Sequence, residues 1–194
     1  MRNNKIDALT GHRKHLLNIP PTGDAVNAIV VYQTQTGFTE QYAHWIAKAL
    51  SCPATPLNKA TVAALAPYDT VIYGGWLRAG SIVNFSKIHA LTPNVAAVFA
   101  VGASPYTPTI IDETREHNRI DTLPLFYMQG GICFEKLGFF YRTVLRLAVN
   151  HLQRKDRKAN PDAPQNPTPL TGTFDASTTE QIQPLIDYLQ STSR

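Results

Sequence analysis

Apolar positions along this chain alternate between unbroken runs and helically spaced stripes, and from residue 27 onward the alternation predicts strands and helices in turn. Residues 28–32 form a β-branched-rich run suited to a strand buried on both faces. From Phe38 the spacing turns helical, with Phe38, Tyr42, Trp45, Ile46, Ala49 and Leu50 on one stripe. Residues 54–57 predict a second strand, and 61–65 a short helix stopped by Pro67. A third strand is expected over 68–75, a helix over 82–91, a central strand over 95–101, an exposed charged helix over 109–120 and a fifth strand over 123–128. Alternation of this kind favours an α/β fold: a doubly wound parallel sheet of five strands, ordered 2-1-3-4-5, with helices on both faces and its carboxyl-end loops around one crevice.

Farther along, Leu137, Phe140, Tyr141, Val144, Leu145, Ala148, Val149 and Leu152 fall on one helical face. Phe139 and Leu147 lie outside that stripe, with Arg142 and Arg146 beside them. Two readings stand: a wide buried face whose arginine stems cover apolar surface, or a surface that meets a membrane or a hydrophobic anionic ligand. The segment 159–173 carries four prolines among polar residues and reads as an exposed loop. Residues 174–189 predict a closing helix with Ser177 and Glu180 as its capping box, although Pro184 moves the regular part toward Gln181. The first 26 residues read as an extension, which leaves one domain over 27–194.

Composition narrows the class. A chain of 194 residues with 43% hydrophobic content suits one domain with a substantial core. No apolar run approaches the roughly 18 residues that span a bilayer, and the first residues lack a signal-peptide pattern, so a cytoplasmic protein is expected. Cys52 and Cys133 are far apart and match neither a metal motif nor a redox pair; no metal is expected, and both read as reduced. The net charge of +4 is concentrated in 137–158, where Arg142, Arg146, Arg154, Lys155, Arg157 and Lys158 face Asp156 alone. Without aromatic interleaving this patch does not point to nucleic acid. An anionic lipid at the inner face of the cell membrane, or an anionic substrate, fits it better.

The segment that carries chemistry joins the first strand to the first helix: Thr34-Gln35-Thr36-Gly37-Phe38-Thr39. Its backbone amides can converge on an anion at the positive end of the helix, with threonine hydroxyls as further donors. It lacks the Gly-Lys-Ser/Thr ending of a Walker loop and the three glycines of a dinucleotide fingerprint. It fits T-x-T-G-x-T instead, and here the chain resembles the flavodoxin family, in which this loop holds the monophosphate of FMN. The resemblance implies a flavodoxin-like sheet with FMN as cofactor, the chemistry residing at the flavin N5 rather than in a catalytic side chain.

Two further segments would then flank the ring. Gly74-Gly75-Trp76-Leu77-Arg78-Ala79-Gly80 is expected as a loop after the third strand, with glycines for close approach and Trp76 to stack on the isoalloxazine. Gly102, Ala103, Ser104 and Tyr106 follow the fourth strand and would meet the other face or the pyrimidine edge. These segments hold Arg78 and no Asp or Glu, so a reduced, anionic flavin or a substrate carboxylate would meet a cation there.

Residues 68–90 and 130–155 are similar to the corresponding regions of bacterial menaquinone-dependent protoporphyrinogen IX dehydrogenases, which are flavodoxin-fold enzymes. That likeness implies a porphyrinogen substrate, a quinone or redox-protein electron acceptor, and a role for Phe139, Arg142 and Arg146 at the substrate or membrane surface. The phosphate loop is closer to carrier flavodoxins than to those enzymes, and the leader is additional. The alternatives are an electron carrier without a small-molecule substrate, against which the pI near 9.1 weighs, and a flavodoxin-like module that has lost its cofactor. Exchanging both Arg142 and Arg146 for Gln is expected to spare FMN binding and lower turnover on liposomes; unaltered turnover would leave that helix a structural role only.

Overall fold

The computed structural model describes residues 27–133 and 173–192. The 1–26 segment, the helix expected over 137–152 with Phe139, Arg142 and Arg146, and the 159–172 part of the expected loop lie outside the described residues. Strand β1 (Ala28–Gln33) leads into α1 (Phe38–Leu50), then β2 (Ala54–Pro56), α2 (Val62–Leu65), β3 (Thr70–Arg78), β4 (Ser81–Ile82) and α3 (Phe85–Leu91). Next come β5 (Val95–Gly102), α4 (Pro108–Asn118), β6 (Leu125–Gln129), β7 (Gly131–Ile132), β8 (Phe174–Asp175) and α5 (Gln183–Thr192).

The main sheet runs β2-β1-β3-β5-β6 with every neighbouring pair parallel, the order expected for a doubly wound fold. Its strands are apolar on both sides because both sides are covered. Val30, Ile72 and Phe99 pack with Tyr42 and Ile46 of α1 and with Leu185 and Ile186 of α5. On the opposite face Val31, Val71, Tyr73 and Val98 pack with Leu57, Leu65, Ile88 and Ile120. Each such fully buried aliphatic or aromatic side chain contributes roughly 1.5–3 kcal/mol of burial, so the unbroken runs read in the sequence are the interior of a three-layer stack.

The third strand is longer than expected, and the reason is steric. Gly74 and Gly75 read as the start of a loop, yet both are buried ladder residues, paired with Phe99 and Ala100 of β5. A Cβ at Gly74 would overlap the Phe99 ring, and one at Gly75 would lie 2.5 Å from Ile82 Cγ2. The two glycines make room for neighbouring side chains inside the sheet. Trp76, Leu77 and Arg78 therefore continue β3, and the chain reverses at Ala79 and Gly80, both at positive φ (48° and 81°), to pair Ser81 with Arg78. That is the two-residue geometry of a twisted hairpin. The helix expected from 82 starts at Phe85, since Ser81 and Ile82 are taken by this pairing.

The C-terminal segment departs in a similar way. Phe174 and Asp175 pair antiparallel with Ile132 and Gly131. A 3-10 turn over Thr179–Ile182 then precedes α5. No Ser177–Glu180 capping box forms, because Asp175 Oδ1 accepts from both the backbone N–H and the hydroxyl of Ser177. Pro184 is tolerated because it lies in the first turn of α5, where its missing N–H has no intrahelical partner to lose. Gly74→Ala is expected to destabilise the protein by ~2 kcal/mol, as overpacking of a filled core does. Urea unfolding checks it, and the loss should shrink in the Gly74→Ala, Phe99→Leu double variant, where the ring is gone.

Candidate functional site

Strand register brings the three candidate segments to one edge of the sheet. Gln33 at the end of β1 pairs with Gly75, Trp76 pairs with Val101, and Gly102 pairs with Gln129. The chain leaves the sheet just beyond Gln33 and Gly102 while β3 runs on to Arg78, so the 34–39 turn, the end of β3 and the 103–107 loop all lie at the carboxyl edge, the side on which a doubly wound sheet opens its crevice.

The turn from β1 to α1 is built on Gly37, which sits at φ 103° in the left-handed region as the N-cap of α1. Only glycine takes that conformation at little cost. The Gly37 amide donates to Thr34 Oγ1 at 3.0 Å. Among the described residues no protein acceptor meets the amides of Gln35, Thr36, Phe38 and Thr39. Thr34 through Phe38 are half-buried, whereas the Thr39 side chain is fully buried. The Phe38 ring turns inward against Gly130 and Gly131, which anchors the turn to the end of β6 and leaves only the Phe38 amide for the crevice.

The tip of the β3–β4 hairpin is fixed from two sides. Asn118, the last residue of α4, donates to Gly80 O at 3.0 Å and accepts from Ile82 N at 2.8 Å. The His117 ring lies against Gly80. From β3, Tyr73 donates its phenol to Val83 O at 2.6 Å, and burial pushes that phenol's pKa well up, so it remains a donor. The 103–107 loop is held likewise: the Tyr127 phenol, raised by burial to about 12, donates to Ser104 O at 2.5 Å, and Gln129 reaches Ala103 O at 3.3 Å. Tyr106 remains 61% exposed, its ring centroid 6.4 Å from that of Tyr127.

Alternation along β3 divides the ring-side candidates between the faces of the sheet. Gly74 and Trp76 face the α1 side with the 34–39 turn, and Leu77 packs with the core on the other side. A cleft of about 230 Å³ opens on that second side, lined by Leu77, Gly80, Gly102, Ala103 and Ser104 together with Ile110, Glu113, Thr114 and Tyr127. The 34–39 turn, Trp76, Arg78 and Tyr106 do not line it. Sequence reading missed Glu113 and Tyr127, since neither belongs to a loop that follows a strand; α4 and β6 deliver them. Glu113 places a carboxylate beside segments that contain none. Burial pushes the Cys52 thiol up to about 11, and both cysteines are free. Among the described residues no cluster of ligating side chains could hold a metal ion, and no helix is long and apolar enough to cross a membrane.

A model of the flavodoxin domain matches residues 29–159. No curated protein sequence matches the chain. Among solved structures, the WrbA-like flavodoxin of Agrobacterium tumefaciens is 19% identical over 49% of this chain and 70% of its own, with a TM-score of 0.38. Oxidised flavodoxin 2 of Bacillus cereus is also 19% identical, over 53% of this chain and 84% of its own, with a TM-score of 0.36. The Flv1 flavodiiron core of Synechocystis is 16% identical over 54% of this chain and 30% of its own, at 0.40. Likeness to single structures at these scores is loose, and the family assignment rests on the domain match.

FMN is the cofactor that a flavodoxin domain implies, and the donor set fits its phosphate. Four amides that meet no acceptor among the described residues, a helix N-terminus behind them and a Thr34 hydroxyl that accepts from Gly37 make a donor set that suits an anion without a lysine. Gly37→Ala, which forces a side chain into the left-handed region, is expected to weaken FMN binding about tenfold by roughly 1–2 kcal/mol of strain. Quenching of flavin fluorescence on titration measures it, and an unchanged dissociation constant would show that the turn does not hold the phosphate.

Proposed function

The chain belongs to the flavodoxin domain family, and from that premise we propose that it is an FMN-dependent oxidoreductase. The observation that carries this reading is the set of amides on Gln35, Thr36, Phe38 and Thr39, which meet no acceptor among the described residues, at the sheet edge where the end of β3 and the 103–107 loop also arrive. When bound, FMN supplies the electron chemistry, taking a hydride or electrons at N5. The protein's part is to hold and to shield. The 34–39 amides bind the phosphate, Trp76 offers a ring to one face of the isoalloxazine, and the half-buried Gly102 and Ala103 with the exposed Ser104 and Tyr106 border the opposite side.

For the substrate, we infer a porphyrinogen, oxidised with a quinone as the electron acceptor. The support is the similarity of residues 68–90 and 130–155 to menaquinone-dependent protoporphyrinogen IX dehydrogenases, and the basic 137–158 segment, whose arginines suit propionates or anionic lipid. Arg78, exposed at the hairpin end of β3, adds a cation at the same edge. The second reading is an electron carrier that docks a redox protein. It draws on Tyr106, a large aromatic left 61% exposed beside the crevice, as docking surfaces favour.

The purified protein should be yellow or take up FMN. Under anaerobic conditions protoporphyrinogen IX is expected to bleach the flavin band, and a menaquinone analogue to restore it. Bleaching by a flavodoxin reductase but not by the porphyrinogen would favour the carrier. A colourless protein that takes up no FMN would contradict both.

A further inference from the structure

Glu40 occupies the third position of α1, where a glutamate commonly folds back to take an amide at the start of its own helix. Here it does not. The Tyr32 phenol donates to Glu40 Oε1 at 2.9 Å, and His44 Nε2 lies 4.0 Å from the same oxygen. The amide that a capping glutamate would claim, that of Gly37, is already served by Thr34 Oγ1. Tyr32 is almost fully buried at the end of β1, and its ring packs edge-on against His44 at 5.8 Å between centroids. The side chain that holds the carboxylate is thus itself fixed in the core.

We propose that Tyr32 is a positioning residue that keeps the Glu40 carboxylate off the helix N-terminus, so that the 34–39 amides stay open to a phosphate dianion. This rests on the reading that the turn binds FMN. An acidic side chain in the first turn is attracted to the same partial positive charge that attracts a phosphate. Left loose, Glu40 would be drawn to the helix end and repel a dianion bound there. Tied to a buried phenol, it contributes to the helix end without filling the turn. Burial raises the phenol to about 12, so it stays a donor across the physiological range. The device acts on the phosphate alone and predicts discrimination between FMN and riboflavin, which share the ring and differ in the phosphate.

The test is a titration of FMN and of riboflavin against the wild type, Tyr32→Phe, Glu40→Gln and the Tyr32→Phe, Glu40→Gln double variant, read by fluorescence quenching. Tyr32→Phe is expected to weaken FMN binding about fivefold, the effect of one hydrogen bond, and to leave riboflavin binding unchanged. The double variant should recover FMN affinity. Glu40→Gln alone should not weaken FMN binding, and this holds the proposal to account even if Tyr32→Phe fails to fold. Equal losses for both flavins, no loss for FMN, no recovery in the double variant, or weaker FMN binding in Glu40→Gln would each overturn the role of Tyr32 while leaving FMN binding intact. A wild type that binds neither flavin would instead overturn the functional reading beneath it.

Discussion

The left-handed turn at Gly37 determines more of this structure than any other single backbone conformation. It lets β1 end and α1 begin within a few residues, so the helix N-terminus faces the carboxyl edge of the sheet while α1 still lies on the core. Phe38, the next residue, is pinned against Gly130 and Gly131 at the far side of that edge. The turn is therefore set by packing, and among the described residues the side chains around its four open amides have other partners: Thr34 with Gly37, Phe38 with Gly130 and Gly131, Glu40 with Tyr32. An anion site made mainly of backbone, as proposed here, would have few side chains to lose, which makes the conformation of its glycine the sensitive part.

Around that turn the fold applies the same device repeatedly, fixing crevice segments through polar contacts from outside the crevice. Asn118 and Tyr73 hold the hairpin, Tyr127 and Gln129 hold the 103–107 loop, and the Tyr42 phenol with the Gln181 amide holds the end of β6 at Gln129. Buried phenols recur because a tyrosine spans the core with an apolar body and still reaches a loop carbonyl. Their raised pKa values follow from that burial and keep them protonated. The crevice is thus bordered by loops that are already in place, which lowers the ordering cost of binding a large planar cofactor.

The sheet was legible in the sequence because strands covered on both faces read as continuous apolar runs; Val30 and Val31, both fully buried on opposite sides, show why alternation was absent. Strand order followed from the doubly wound pattern. The glycines were the difficulty. Gly74 and Gly75 carry the local signature of a turn, and only the Phe99 and Ile82 side chains, distant in sequence, make them strand residues. The β7–β8 pairing was hidden for the same reason, since Gly131 opposes Asp175 across more than forty intervening positions. Within the candidate site, the phosphate turn was readable from six consecutive residues, whereas Glu113, Tyr127 and Asn118 came from other elements and had no local signal.

The central claim is that the backbone amides of residues 34–39 bind a phosphate dianion. The most direct measurement is the movement of those amide resonances in two-dimensional ¹H–¹⁵N NMR spectra as FMN is added. Binding through the turn predicts strong downfield shifts at Gln35, Thr36, Phe38 and Thr39. If those four resonances stayed in place while the flavin bound elsewhere, the claim would be contradicted.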